Sequence, residues 1–293
     1  MNGYPPIATF SIVARDPANG DLGIAVQSRF LAVGAIVPYA QAGVGAIALQ
    51  AFPDSRQGPV AIDMMKAGSS ASETIDRLME SDEGRGLRQI GAVDAQGQSA
   101  CHTGADCLSW AGHIPGEDFA AQGNMLVGER TVAAMAETFQ KTTGELADRL
   151  MAALAAAQNA GGDARGKQSA AILVVRDKAG YRGFGDRYFD LRVDDHPDPI
   201  VELARLVELQ RTLHLCVESF RLAGEGHVEE AVETIEQAAK REPNNVNVLY
   251  FLARTYTIAG RKKDASAALA LAYAIHPQIE LLAKKDKLLA LEE

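Results

Sequence analysis

TFSIVARDPANGDLGIAVQSR, residues 9–29, is the stretch from which the rest of the chain can be read. Two apolar, β-branched runs, 9–14 and 22–28, flank Asp16-Pro17-Ala18-Asn19-Gly20-Asp21. Proline presets one backbone angle and Asn-Gly accepts left-handed conformations, so the six residues form a turn and the flanks a β-hairpin. A hydroxyl stands near each open end. Thr9 begins the first strand, and Ser28 closes the second between Gln27 and Arg29.

Outward from this hairpin, the apolar runs 35–41 and 44–51 predict a second one, hinged at Ala42-Gly43. Over 57–80 the apolar period becomes helical, and Gly68-Ser69-Ser70 divides the stretch into two helices. Ser70 and Glu73 have the spacing of a capping box for the second. Residues 87–103 read as strand, turn, strand around Asp94-Ala95-Gln96-Gly97. The Gly-rich stretch 104–128 predicts loops and one short strand near 119–125. Helices follow over 129–140 and 143–160, the second with Leu146, Leu150, Leu154 and Ala157 on one stripe. A last hairpin pairs 169–176 with 181–193. Strands alternating with paired helices predict an α+β domain whose sheets are covered by helices.

Beyond Pro199 the strand pattern stops and a repeat appears. Gly226 and Gly260, Ala231 and Ala265, Ala238 and Ala272, and Pro243 and Pro277 are each 34 residues apart. Ile235 and Leu269 keep the same spacing. This pattern is similar to tetratricopeptide repeats, in which small residues let two helices approach and proline ends the second. Two repeats bury too little alone, so helices over about 199–223 and 278–291 are expected to flank them. The chain thus divides into 1–198 and an all-helical 199–293, and Leu249, Tyr250, Leu281 and Leu282 are expected to pack on another surface, giving a homodimer.

Composition narrows the function. The chain has 293 residues, 47% of them hydrophobic and 23% charged, in the range of a soluble globular protein. A net charge of −9 argues against nucleic-acid partners, which call for clustered Lys and Arg. No apolar run reaches the length of a membrane span, and the start lacks the pattern of an export signal, so a cytoplasmic protein is expected. Cys101, Cys107 and Cys216 make no disulfide framework. Cys101 and Cys107, with His102 and His113, do not have a recognised zinc spacing. No metal and no cofactor are expected.

The first run, TFSIVARDP, resembles the start of the DUF1028 family of the N-terminal-nucleophile (Ntn) hydrolase superfamily. The resemblance continues in FLAVGAIVPYAQAGVGA (30–46), HTG (102–104), WAGH (110–113), QGNML (122–126) and DLRVDDHPDP (190–199), covering roughly the first two-thirds of the chain. It implies a four-layer α-β-β-α sandwich and an amidohydrolase acting on a small amide or carbamoyl compound. The superfamily's nucleophile is a Thr, Ser or Cys that begins the mature chain: its hydroxyl attacks a carbonyl and its free α-amine takes the proton.

Thr9 stands at that place, and Ser11, on the same strand face, is a substitute. Thr9 can equally be one more β-branched strand residue. Eight residues precede it, so its amine is freed only by cleavage at Ala8–Thr9. The proteasome-like branch has Asp-Ser-Arg at the end of its second strand and a Lys on its third. Here Gln27-Ser28-Arg29 replaces the former, and no Lys or Arg occurs between Phe30 and Phe52. The expected catalytic residues are Thr9 and Ser28, with Gln27, Arg29, Gln50, His102, Asn124 and Asp186 contacting substrate. His102 could instead cap a loop, Asn124 satisfy a turn, and Asp186 pair with Arg187. A small-molecule ligand on a non-catalytic scaffold, or a protein partner on the helical repeats, are the other readings.

Overall fold

A computed structural model describes residues 9–289. The chain divides into two compact units between Val207 and Glu208. In the first, β1 (Thr9–Arg15) and β2 (Leu22–Ser28) pair antiparallel from Thr9↔Ser28 to Arg15↔Leu22. Asn19 and Asp16 side chains accept hydrogen bonds from the Asp21 and Ala18 amides, which is why this polar segment turns where it does.

A short 3-10 turn, Val33–Ala35, precedes β3 (Pro38–Gln41), so the expected strand over 35–41 is shortened at its start. Then come β4 (Gly45–Ala51), α1 (Gln57–Lys66), α2 (Ala71–Glu80), β5 (Arg88–Asp94) and β6 (Ser99–Thr103). Ser70 caps α2 with the full reciprocal box to Glu73. β7 (Trp110–Gly116) and β8 (Phe119–Leu126) form a hairpin. The loop expected over the first half of 104–128 is therefore a strand: β7 lies at the sheet edge, where Gly112 and Pro115 are tolerated. After α3 (Arg130–Lys141) and α4 (Leu146–Asn159) come β9 (Ser169–Val175) and β10 (Arg187–Val193). The second arm of this last hairpin begins six residues later than expected, because Gly183 and Gly185 hold positive φ and residues 181–183 make a helical turn.

The strands form two antiparallel sheets, ordered β10-β9-β2-β1-β8-β7 and β3-β4-β5-β6. Alternation along each strand sorts the side chains. Phe10, Ile12 and Ala14 of β1 join Val132, Met135, Phe139, Leu150 and Leu154 of α3 and α4 in one core. Val13, Ile24 and Val26 face Ala46, Ala48 and Val93 of the smaller sheet in a second core. Ile47, Leu49, Ile90 and Ala92 turn the other way, onto Ala61, Ile75 and Leu78 of α1 and α2. This unit is mixed α/β with antiparallel sheets.

Helix α5 (Pro199–Gly224) crosses the division between the units. The second unit continues with α6 (Val228–Arg241), α7 (Val246–Ile258), α8 (Lys262–Ile275) and α9 (Ile279–Ala283). Both ends of α6 and α8 are 34 residues apart. Ala231, Ala238, Ala265 and Ala272 have 0% exposure, the close approach that their small size permits. Leu249 is buried and the Tyr250 hydroxyl donates to Asp286 at 2.5 Å, so these two are spent inside the unit, whereas Leu281 and Leu282 are 66% and 50% exposed. The expected terminal helix over 278–291 is reduced to the short α9, and its last two residues lie outside the described residues.

Candidate functional site

At one end of the first unit the facing sides of both sheets change from apolar to polar. Register places Ser169, Ser28, Thr9 and Asn124 in one row across β9, β2, β1 and β8. One step inward, Ser11 stands opposite Gln122. Gln50, Gln89 and Thr103 come from β4, β5 and β6 of the smaller sheet. Thr9, Ser11, Ser28, Ser169, Gln50, Gln89 and Gln122 have 0% exposure and Asn124 has 1%.

Burial at this depth requires partners for the amides, and they are largely found in one another. Gln122 Nε2 donates to Ser11 Oγ at 2.7 Å, and Ser11 Oγ donates to Gln50 Oε1 at 2.8 Å. Gln50 Nε2 donates to Gln89 Oε1 at 2.6 Å and reaches the Thr9 carbonyl at 3.5 Å. Asn124 Nδ2 also donates to Gln89 Oε1, at 2.9 Å. Gln89 Nε2 in turn serves Thr103 Oγ1 (2.9 Å) and the Gly123 and Gly112 carbonyls (2.7 and 3.2 Å). The network leaves the interior through Thr103 Oγ1, which lies 2.8 Å from Nδ1 of the exposed His113. Partial desolvation of its ring, and then the charge of His102, lower the His113 pKa. Gly91 makes room for the Gln122 amide: a Cβ there would stand 2.0 Å from Gln122 Oε1.

The expected site residues separate into two groups. Thr9, Ser28, Gln50 and Asn124 come together in the polar end. Arg29 is adjacent, but its guanidinium donates to the Lys167 carbonyl at 2.8 Å. Gln27 alternates to the opposite sheet face, level with Phe10, and among the described residues its buried amide has no hydrogen-bond partner. His102 points to the α2 side of the smaller sheet and contacts the Arg85 carbonyl at 2.9 Å. Asp186 accepts from the Ala42 amide and belongs to the far end of the sheet, where Arg187, Val175 and Leu22 share a row. A seven-residue strand is roughly 20 Å long, so Asp186 is not brought to Thr9, while Gln27 and His102 lie near the Thr9 end of their strands but on the faces turned away from it. Sequence reasoning missed Gln89, Gln122, Thr103 and Ser169. Glutamine inside the apolar runs RQIGAV and AAQGNM was the available signal.

It also missed Asp163, a buried residue at the head of β1. Its backbone bridges Leu126 on the side of β8 that β1 occupies, and its Oδ2 accepts from the Arg29 amide at 3.0 Å. Arg165 closes on the same carboxylate through its amide (2.9 Å), Nε (3.2 Å) and Nη2 (3.0 Å). Among the described residues no cluster of His, Cys, Asp and Glu has the arrangement of a metal site, and no helix is long and apolar enough to cross a membrane. Burial pushes the Cys101 thiol up to about 12.

Two antiparallel sheets meeting in a neutral polar end, followed by a helical repeat region, define a two-part α/β protein. The family described as "Family of unknown function (DUF1028)" matches residues 9–203, and the chain belongs to it. A tetratricopeptide repeat family matches 222–288. The crystal structure of a DUF1028 protein from Silicibacter pomeroyi is similar, with a TM-score of 0.62 and 32% sequence identity, over 69% of this chain and 88% of that one. No curated protein matches the chain.

Proposed function

We propose that the first unit is an Ntn-type amidohydrolase for a small, uncharged amide or carbamoyl compound, made competent by cleavage of Ala8–Thr9. The layering of α3/α4, the six-stranded sheet, the four-stranded sheet and α1/α2 supports the sandwich plan of that superfamily. One observation carries the reading: Thr9 heads a central strand with Ser28 and Asn124 level on either side, beside buried amides and hydroxyls that reach His113 through Thr103. Its own α-amine, freed by that cleavage, is the base this scheme assigns to its hydroxyl.

In this scheme Thr9 Oγ bonds to the substrate carbonyl carbon while its proton passes to the α-amine, with Ser28 orienting the transfer. The carbonyl oxygen takes up the charge, and the second N–H of Asn124 and backbone amides near Gln50 are the donors for it. The ammonium then protonates the leaving nitrogen, the C–N bond breaks, and water hydrolyses the Thr9 ester. The test compares full-length chain, a form beginning at Thr9, and Thr9→Ala on a panel of small amides. Activity confined to the trimmed form and lost in Thr9→Ala is expected; equal activity in full-length protein and Thr9→Ala overturns the assignment.

A binding scaffold is the second reading. It is favoured by the way most of the buried amide groups already satisfy one another, Gln122 Oε1 excepted, and inactivity of all three forms would select it. For the helical unit we propose a protein partner, a second copy of the chain being the first candidate, docking through the exposed Leu281 and Leu282.

A further inference from the structure

The 34-residue repeat lets α6 and α8 be compared position by position. Both helices have 14 residues, and their buried positions match: Ala231, Ile235 and Ala238 correspond to Ala265, Leu269 and Ala272. The outward positions do not match. On α6 they hold Glu233, Glu236, Gln237, Lys240 and Arg241; on α8 they hold Ala267, Ala270, Leu271, Ala274 and Ile275. At 3.6 residues per turn these α8 residues lie within one arc of roughly 140°. All of them are exposed, Leu271 to 44% and Ile275 to 42%.

A further repeat of the same kind would not cover this arc. α6 is itself followed by α7 and α8, and Glu233, Gln237, Lys240 and Arg241 stay exposed beside them. Polar residues are the ordinary filling of such a face, as on α6. The face of α8 is therefore apolar at positions that the array leaves to solvent.

The charges at its ends point to what covers it. A helix carries partial positive charge at its N-terminus and negative charge at its C-terminus. α6 follows the matching preference, with Glu229 and Glu230 in its first turn and Lys240 and Arg241 in its last. α8 departs from it at both ends. Lys262 and Lys263 open the helix, and its last turn holds no base. Asp264, in the same opening turn, accepts from Arg261 at 2.6 Å. A neighbour that brings a negative helix end to Lys262 and Lys263, and cations to the bare last turn, answers both departures. A second α8 laid antiparallel is such a neighbour. The face also fits itself: Ala267, Ala270 and Ala274 leave hollows for Leu271 and Ile275, and small residues permit an interaxial distance of about 8 Å.

We propose that α8 pairs antiparallel with α8 of a second copy, about a two-fold axis between Ala267 and Ala270. Lys262 of one copy is then level with Ile275 of the other. The inference rests on the reading that the helical unit docks a protein, names the face and the partner, and is independent of the hydrolase reading.

Sedimentation equilibrium of the full chain across the micromolar range tests the pairing, and the parent is expected to dimerise. Leu271→Gln with Ile275→Arg places on α8 what α6 already carries at those positions, and is expected to raise the dimer Kd roughly tenfold or more. Lys262→Glu with Lys263→Glu is expected to weaken the dimer severalfold while raising the Tm of the dilute monomer, because acids suit a helix N-terminus. Damage to the fold would instead lower both. A short bis-maleimide, its products mapped by mass spectrometry, is expected to join two chains at Ala267→Cys and not at Lys263→Cys. A monomer throughout the range overturns the inference and, with it, docking to a second copy. A dimer dissociated by Leu281→Ser with Leu282→Ser, yet unmoved by Leu271→Gln with Ile275→Arg, overturns the inference alone and leaves docking through α9 standing. Joining at Lys263→Cys overturns the antiparallel arrangement.

Discussion

Gln89 joins five partners through a single side-chain amide, and the sign of each contact is fixed: its oxygen accepts twice and its nitrogen serves three acceptors. Replacing it by leucine keeps the volume and strands donors of Gln50 and Asn124 in a dry interior. Such orphaned groups cost about 1–3 kcal/mol each, so Gln89→Leu is expected to lower the urea midpoint by an amount equivalent to several kcal/mol, with the slope unchanged. Gly91→Ala drives a methyl group against Gln122 Oε1 and is expected to cost about 1–3 kcal/mol by the same measurement. Thiol chemistry provides a separate check. Burial raises Cys101 to about 12 and Cys216 to about 11, so a thiolate-directed reagent at pH 8 is expected to leave both intact until the protein is unfolded.

Between elements, Asp82 collects Gln57 of α1, the Gly84 amide and Arg88 of β5. The hydrogen bond from Arg88 is the chief force holding its carboxyl below the ordinary carboxylate range. A depressed folded pKa contributes stability that is full above the unfolded value of about 3.9 and is lost as pH falls through the folded value. Asp82→Asn is therefore expected to flatten the decline of stability below about pH 4, read as urea midpoint against pH. Ser70→Ala removes one half of the α2 box and is expected to cost about 1 kcal/mol. This is also the scale at which the sequence was most readable. Pro17, Asn19 and Gly20 announce the first turn, and Ser70 with Glu73 announces α2, because both signals are local. β7 escaped because Gly112 and Pro115 resemble punctuation, and only an edge position makes them acceptable. Asp163 escaped because its meaning is its place beyond β1, which two distant strands define. The polar network lay between: each glutamine stood out in its own apolar run, but which face it served depended on counting alternation. By that count Gln27 belongs with Phe10 and away from Thr9.

At the scale of the whole molecule, the two units call for separate tests. The helical unit spends Leu249 and Tyr250 internally and leaves Leu281 and Leu282 exposed on α9. If these two mediate association, Leu281→Ser with Leu282→Ser is expected to convert a concentration-dependent sedimentation coefficient into that of a monomer. A monomer in the unaltered protein at micromolar concentration would remove the homodimer proposal.

The strand order of the larger sheet has a consequence for the ribosome. Of this sheet's described strands β1 and β2 are made first, yet they sit in the middle, and their outer neighbours are supplied by residues 119–126 and 169–175. At roughly 5–20 residues per second, the opening hairpin waits many seconds with both long edges unpaired. During that interval its apolar runs are exposed to every other chain nearby. A nascent chain stalled before residue 119 is therefore expected to need a holding factor, and one stalled after β10 has emerged is not. Arrested chains of these two lengths, compared for protease resistance and for chaperone crosslinking, would place the moment at which the sheet closes.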